Sequence, residues 1–205
     1  MLRPARGFTL VEMLVVVAII IVLAAILLPV YEVAAKRAES ASCLSNMRNL
    51  GVAARIYADD NDEGIIPARV SGGPAGYYGI GWGLLLQPYL RNEAVLICMS
   101  DPEPTVAAGT YGAKRSYGIN YEVAMVGGYN NSALCLADIG DATEVILFFE
   151  IASSLRRLGT SYQDSGLSAV AARHRDGSNY TFVDGHAKWL RSEQTVSPKN
   201  LWSPE

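Results

Sequence analysis

The sequence predicts an α+β protein in which a long, bent N-terminal α-helix packs on a small head domain with an antiparallel β-sheet. Three features lead to this prediction. A nearly unbroken apolar run occupies residues 8–30. A helical repeat of apolar residues continues to Tyr57. Residues 63–205 then show turn signals between short apolar stretches, and they are numerous enough for one compact domain.

The apolar run from Phe8 to Val30 has 23 residues, of which only Thr9 and Glu12 are polar. An α-helix rises about 1.5 Å per residue, so a run of this length crosses the roughly 30 Å hydrocarbon core of a bilayer. No other stretch of the sequence is comparably apolar. The sequence therefore predicts one membrane segment at residues 8–30.

Two ordinary kinds of N-terminal segment fit this run. A secretory signal peptide would use Arg3 and Arg6 as its charged start and residues 38–40 as a weak cleavage site. A plain signal anchor would keep the same positive end in the cytoplasm. Neither accounts for Glu12, because a carboxylate at membrane depth costs a few kcal/mol or more.

The residues Gly7-Phe8-Thr9-Leu10-Val11-Glu12, after a short basic leader, resemble the processing motif of type IV prepilins and type II secretion pseudopilins. The resemblance implies that a prepilin peptidase removes residues 1–7 by cutting after Gly7, and that Phe8 becomes the N-methylated mature N-terminus. It makes Glu12 the fifth mature residue. It also places Pro29 where many pilins have a helix-bending proline.

Glu12 has a physical use in such a protein. Cleavage would leave a positively charged amine on Phe8, and Glu12 lies four residues further along the same helix face. In a filament, the carboxylate of one subunit can pair with the amine of its neighbour, which lowers the cost of burying either charge. The simpler alternative is that Glu12 reaches the lipid headgroups from the helix end.

The helix is predicted to bend at Pro29, which removes a backbone donor, and to continue as an amphipathic helix over residues 31–62. The apolar positions recur at steps of three and four: Ala34, Ala38, Ala41, Leu44, Met47, Leu50, Ala54 and Tyr57. The acidic run Asp59 to Glu63 ends the helix. The oxygen atoms of this acidic run could bind a calcium ion, but the run lacks EF-hand spacing and is predicted to be a solvated loop.

In the head, strands are predicted at residues 145–151, 169–173, 180–183 and 187–190. Residues 79–83 are predicted to form a loop, and residues 84–90 a short helical or irregular apolar turn. Asp184-Gly185-His186 separates the last two strands and predicts a hairpin turn with Gly185 at positive φ. The polar tail from Ser192 to Glu205 is predicted to be loosely held.

A second resemblance covers the head. His174, nine further residues and then Asp184-Gly185 resemble the C-terminal signature of a large group of pilin-like proteins with a prepilin-type leader. Residues 43–47, 57–60, 86–90, 97–102 and 116–120 also resemble that group. Met99 stands where the group often has proline, so the resemblance does not establish the local turn at Cys98.

The acidic and histidine residues of the head are candidate ligands of a metal ion. The set comprises His174, His186, Asp176, Asp184 and Glu150, which are side chains that can bind zinc or a similar ion. A tight turn at Asp184-Gly185 and a hydrogen-bonding His174 explain the pattern more simply. The prediction is therefore no metal ligand and no cofactor. No Ser-His-Asp arrangement, phosphate loop or nucleotide motif is evident in the sequence, so no enzyme is predicted.

Three cysteines, Cys43, Cys98 and Cys135, allow at most one disulfide within the chain. A bridge from Cys43 on the helix to Cys98 in the head is one possibility, and three buried thiols are another.

The predicted function is a structural subunit, a pilin or pseudopilin, of a type IV pilus or a type II secretion filament. The resemblance implies as partners other such subunits, a prepilin peptidase, an inner-membrane assembly platform and, before assembly, membrane lipid. The head would be extracytoplasmic, first on a single-pass membrane protein and then on a filament. The net charge of −3 argues against a nucleic-acid partner. The alternative is a membrane-tethered binding or metal-dependent enzymatic domain that uses the leader for export.

Overall fold

The computed structural model describes residues 8–71, 79–104, 110–111, 114–125, 133–152 and 166–204. The chain divides into two compact units, Met1–Ala38 and Glu39–Glu205. The first unit is helical over its described residues from Leu10 onward. The second unit is an α+β head that includes the C-terminal part of the same helix.

Helix α1 runs from Leu10 to Asp60 and contains Pro29. The helix continues on both sides of this proline, and a bend there stays a prediction. It ends in the acidic run, as predicted, where Asn61 donates its side-chain amide to the carbonyl of Tyr57 at 2.7 Å. Asp62 and Glu63 then take positive φ angles of 52° and 59°, which lead the chain away from the helix axis.

The buried residues of α1 all lie in its second half and recur at helical spacing. They are Cys43, Met47, Leu50, Gly51, Ala53, Ala54 and Ala58. Met47, Leu50 and Ala54 of the predicted apolar stripe are therefore confirmed as core positions. Ala34, Ala38 and Ala41, the first part of that stripe, are exposed in the single chain.

A small sheet joins three short strands, β1 (Arg69–Val70), β2 (Gly79–Gly81) and β3 (Thr110–Tyr111). Strand β2 pairs antiparallel with β1 and parallel with β3. The prediction of a loop at residues 79–83 was wrong, because β2 is followed directly by helix α2 (Trp82–Leu85). Strand β2 forms through backbone pairing with β1 and β3, and its glycines have no intrinsic preference for a strand. The helical turn predicted at residues 84–90 is confirmed by α2 and a 3-10 turn at Gln87–Tyr89.

The main sheet is antiparallel and has the order β4-β5-β6-β7. Its strands are β4 (Tyr117–Ile119), β5 (Ile146–Glu150), β6 (Ser178–Phe182) and β7 (Ala187–Leu190), and helix α3 (Tyr121–Ala124) follows β4. Three predicted strands are confirmed. The prediction at residues 169–173 was wrong: a 3-10 turn occupies Gly166–Ala169, and only Val170 forms an isolated bridge, to Ile151.

The sheet is covered on both faces. Phe148 of β5 packs against Trp82, in the cluster that also holds the buried residues of α1. The next residue, Phe149, faces the opposite way and packs against Trp202. The prediction of a loosely held tail was wrong, because Trp202 is fully buried and its backbone carbonyl accepts a bond from Asn120 at 2.8 Å.

Helix α1 and the β6–β7 hairpin meet backbone to backbone. Gly185 in the turn has φ +95°, which confirms the predicted positive φ. A Cβ atom on Gly51 would lie 2.3 Å from the carbonyl oxygen of Gly185 and 2.8 Å from Cγ2 of Thr181. The hydroxyl of Thr181 donates to the carbonyl of Met47 at 2.8 Å. The head thus needs a residue without a side chain at position 51.

We expect Gly51→Ala to lower the free energy of unfolding by about 1–3 kcal/mol, because the added methyl overlaps backbone atoms that cannot turn aside. Helix propensity alone would have the opposite effect and stabilise the protein by about 1 kcal/mol. Thermal unfolding of the full chain in detergent, followed by circular dichroism, measures the change. Val52→Ala at the exposed neighbouring position is the control and should shift stability by less than about 0.5 kcal/mol. A more stable Gly51→Ala protein would show that the contact is loose.

Candidate functional site

The N-terminal segment is the first candidate functional region. Every residue from Phe8 to Ala34 is exposed, including the whole apolar run. Within the described part of the chain, α1 is the one helix that is long and apolar enough to cross a membrane, judged by length and composition. An isolated chain in water would leave this surface uncovered, so it needs lipid or other protein around it.

Glu12 closes the start of α1. The side chain of Thr9 accepts from the backbone N–H of Glu12 at 3.3 Å, and Oε2 of Glu12 accepts from the backbone N–H of Thr9 at 2.8 Å. This reciprocal pair is a capping box. The Thr9 hydroxyl also donates to the same carboxylate oxygen at 2.7 Å. The spacing Thr-x-x-Glu is a known signal for this cap, and sequence reasoning missed it. Gly7 lies outside the described residues.

The Asp184-Gly185 pair forms the turn of the β6–β7 hairpin. The backbone N–H of Gly185 donates to the carbonyl of Phe182 at 2.9 Å. Asp184 and His186 are exposed, and Oδ1 of Asp184 lies 2.6 Å from Nδ1 of His186. The ring of His186 stacks on that of Phe182. The two histidines of the candidate metal set therefore have different partners, since His186 pairs with Asp184 within its own turn.

His174 is held by a tight turn just before β6. His174 and Gly177 exchange two backbone hydrogen bonds of 3.1 Å, and both intervening residues, Arg175 and Asp176, have positive φ. That geometry belongs to a type I′ turn. The indole N–H of Trp189 donates to the carbonyl of His174 at 2.7 Å. These contacts fix the direction in which the imidazole leaves the backbone.

The imidazole of His174 is buried against a carboxylate and a sulfur atom. Its Nε2 lies 2.9 Å from Oε1 of Glu150 and 3.4 Å from Sγ of Cys98. Glu150 also accepts from the hydroxyl of Ser178 at 3.2 Å, and from the backbone and side-chain nitrogens of Asn179 at 3.1 and 3.2 Å. A fully buried carboxylate is tolerated when it is paired and hydrogen-bonded in this way.

Cys43 and Cys98 form a disulfide, with their Cα atoms 5.2 Å apart. The bridge joins α1 to the segment after the 3-10 turn Glu93–Leu96, and it settles the pairing that the sequence left open. Cys135 is exposed and free. The turn at Cys98 also forms despite Met99, because the N–H of Asp101 donates to the carbonyl of Cys98 at 2.9 Å while the Met99 side chain is exposed.

The surroundings of this cluster are poorly solvated. Burial chiefly, and then the carboxylate of Glu150, raise the pKa of the Tyr117 hydroxyl above its usual range. Arg173, next to His174, contacts the carboxylate of Asp101 at 3.5 Å and donates to the carbonyl of Ser116. The cluster therefore combines two sulfur atoms, an imidazole and a carboxylate inside a hydrogen-bonded shell.

The described residues contain one group of three or more metal-ligating side chains, and it is Cys43, Cys98, Glu150 and His174. Sequence reasoning named His174 and Glu150 together but did not add the two cysteines to them. The acidic run was the other cation candidate. Its residues are exposed, and Asp59 lies 3.9 Å from Arg55, which fits the solvated helix-end loop that was predicted.

One comparison with known proteins identifies a family feature in this chain. The family model described as the prokaryotic N-terminal methylation motif matches residues 2–28. The match supports a type IV pilin-like protein and a substrate of prepilin peptidase, and it suggests a structural subunit in preference to an enzyme. With the apolar helix it is consistent with membrane anchoring. No curated protein and no solved structure matches the chain.

The disulfide assignment predicts which thiols react with an alkylating reagent. The full chain, unfolded in denaturant without a reductant, should take up one carbamidomethyl group, on Cys135, because Cys43 and Cys98 have no free thiol. Prior reduction should raise the number to three, the number of cysteines in the sequence. Peptide mass spectrometry locates the labels. Cys135→Ser is the control and should take up no label before reduction; alkylated Cys43 or Cys98 in that sample would refute the bridge.

Proposed function

We propose that the chain is a structural subunit, a pilin or pseudopilin, of a type IV pilus or a type II secretion filament. The observation that carries the proposal is the methylation motif at residues 2–28, placed directly on a helix whose apolar surface is wholly exposed from Phe8 to Val30. A helix of this kind can lie in lipid and later pack against identical helices, since both environments are apolar. Assembly, not catalysis, is the proposed role.

The proposal divides the chain by task. Residues 1–7 are a leader that a prepilin peptidase removes, and Phe8 is then N-methylated. Residues 8–30 cross the membrane and later form the filament core. Residues 31–62 continue the helix, with a bend at Pro29, and residues 63–205 form the head. In this proposal the head is related to the pilin-like proteins whose C-terminal signature His174, Asp184 and Gly185 resemble.

The proposed location follows from the charges at the start of the chain. Arg3 and Arg6 precede the apolar run, so the leader stays in the cytoplasm and the head is extracytoplasmic. The subunit waits in the inner membrane as a single-pass protein and enters a periplasmic or cell-surface filament. Its partners are other pilin subunits, the peptidase and the inner-membrane assembly platform, and no nucleic acid is among them.

Glu12 has two separable roles in this proposal. As a capping residue it satisfies the backbone N–H of Thr9 within its own chain. As an anion it pairs with the amine of Phe8 on a neighbouring subunit. Thr9 follows the proposed cleavage site, so both capping partners stay in the mature chain and the cap is compatible with processing. Only the second role sets the register between subunits, because a misplaced neighbour would leave a buried carboxylate unpaired.

Glutamine separates these roles, because it can close a capping box as glutamate does but carries no charge. We expect Glu12→Gln and Glu12→Ala to reach the membrane normally and to enter sheared filaments at least about tenfold less than the wild type. A loss of about 1.4 kcal/mol lowers an association constant tenfold, and breaking a buried ion pair costs more than that. Quantitative immunoblots of membrane and filament fractions measure both steps.

Glu32→Gln is the matched control, since Glu32 is an exposed glutamate of the same helix outside residues 8–30. It should assemble as the wild type does. Normal assembly of Glu12→Gln together with failure of Glu12→Ala would reduce Glu12 to a capping residue. Normal assembly of both variants would remove Glu12 from the assembly mechanism.

A further inference from the structure

We propose that Cys43, Cys98, His174 and Glu150 form a zinc site when the Cys43–Cys98 disulfide is reduced. The inference rests on the buried cluster of the head and is independent of the proposed filament role. The ligand atoms of these four side chains all lie within 4.8 Å of one another, and all four residues are buried. The disulfide and the zinc site are alternative cross-links between the same parts of the chain.

The donor set matches zinc. Two thiolates, an imidazole nitrogen and a carboxylate oxygen are ligands that this borderline-soft ion takes in tetrahedral sites. Bonds of about 2.3 Å to sulfur and about 2.0 Å to nitrogen and oxygen leave neighbouring ligand atoms about 3.3–3.8 Å apart. Nε2 of His174 already lies 3.4 Å from Sγ of Cys98 and 2.9 Å from Oε1 of Glu150. These two separations are therefore already close to those of a tetrahedral zinc site.

The surroundings of the cluster also favour a metal. A disulfide by itself requires neither an imidazole nor a carboxylate beside it, and burying both is costly. Here both are present, and the carboxylate is oriented by Ser178 and by two nitrogens of Asn179. The backbone of His174 is fixed in turn by Gly177 and Trp189. Such outer partners hold metal ligands in position in known sites.

The four ligands come from separate parts of the head, so the ion would act as a structural cross-link. Cys43 is on α1, Cys98 follows a 3-10 turn, Glu150 ends β5 and His174 precedes β6. Metal binding then contributes to folding, because the unfolded chain does not hold these residues together. The zinc-bound head would keep α1 attached in a reducing environment, where the disulfide is lost.

A dithiol can supply the electrons and protons that convert the Cys43–Cys98 disulfide into the two thiols of the zinc site. Two electrons pass to the Cys43–Cys98 bond, the dithiol becomes a disulfide, and its two protons move to the released cysteine sulfurs. Zinc then binds both sulfurs as thiolates, and the two protons go to solvent. Oxidation reverses the sequence: the sulfur–sulfur bond forms again, the oxidant takes two electrons, and zinc leaves because two of its ligands are gone.

Cobalt(II) is the probe for the test, since it takes the same tetrahedral sites and is coloured. The full chain in detergent is reduced with a trialkylphosphine, which is oxidised to its oxide with one water, and the phosphine is removed under nitrogen. We expect the reduced protein to bind one equivalent of cobalt with thiolate charge-transfer and tetrahedral ligand-field bands, and zinc to displace it. The oxidised wild-type protein, which has the same sequence, should show neither set of bands.

Variants assign the ligands. Cys43→Ser and Cys98→Ser should each weaken binding by more than about 100-fold, beyond the loss that follows removal of an outer partner. Cys135→Ser, which removes the exposed free thiol, is the matched control and should bind as the wild type does. His174→Ala should weaken binding and change the ligand-field bands. Circular dichroism reports whether each variant is folded.

X-ray absorption of the reduced, zinc-loaded wild type gives a check that requires no substitution. We expect two sulfur neighbours at about 2.3 Å and two nitrogen or oxygen neighbours at about 2.0 Å. The proposal fails if the reduced protein binds no cobalt, if the bands depend on Cys135, if the oxidised form binds equally well, or if the absorption data show no sulfur around zinc.

Discussion

The uncovered apolar surface of residues 8–30 is the constraint on which the account of this protein depends. Every residue from Phe8 to Val30 is exposed, so the single chain leaves this apolar surface uncovered. Lipid covers such a surface in a membrane, and neighbouring helices cover it in a filament. The single carboxylate in this region, Glu12, fits both environments only if its charge is paired or hydrogen-bonded, and the cap with Thr9 already provides part of that.

The buried residues of the second half of α1 share one core cluster with residues of the main sheet. The close approach of Gly51 to the turn at Gly185 brings two backbones together, and the hydroxyl of Thr181 bonds to the helix there. About two helical turns before Gly51, the Cys43–Cys98 bridge adds a covalent link. The Asp184-Gly185 pair therefore has a structural explanation: Gly185 provides the positive φ and the space that the helix requires.

Much of this architecture could be predicted from the sequence. The apolar run and the repeat ending at Tyr57 identify α1, and the turn residues Asp184-Gly185-His186 between two short strands identify the last hairpin. Strand β2 was missed, because it is three residues long, two of them glycines, which are uncommon in strands. The tail was misjudged because a single residue, Trp202, anchors it. The complete buried cluster could not be predicted, since its four residues span positions 43 to 174 and only the fold brings their ligand atoms together.

Mass spectrometry of the N-terminus of the protein purified from membranes tests the central claim most directly. We expect a mature chain that begins at Phe8, carries one additional methyl group on its amine and lacks residues 1–7. That product would show that the chain had been processed in the way its N-terminal motif implies. A chain that retains Met1, or one that begins beyond Val30, would contradict the account, because the amine proposed to pair with Glu12 would not exist.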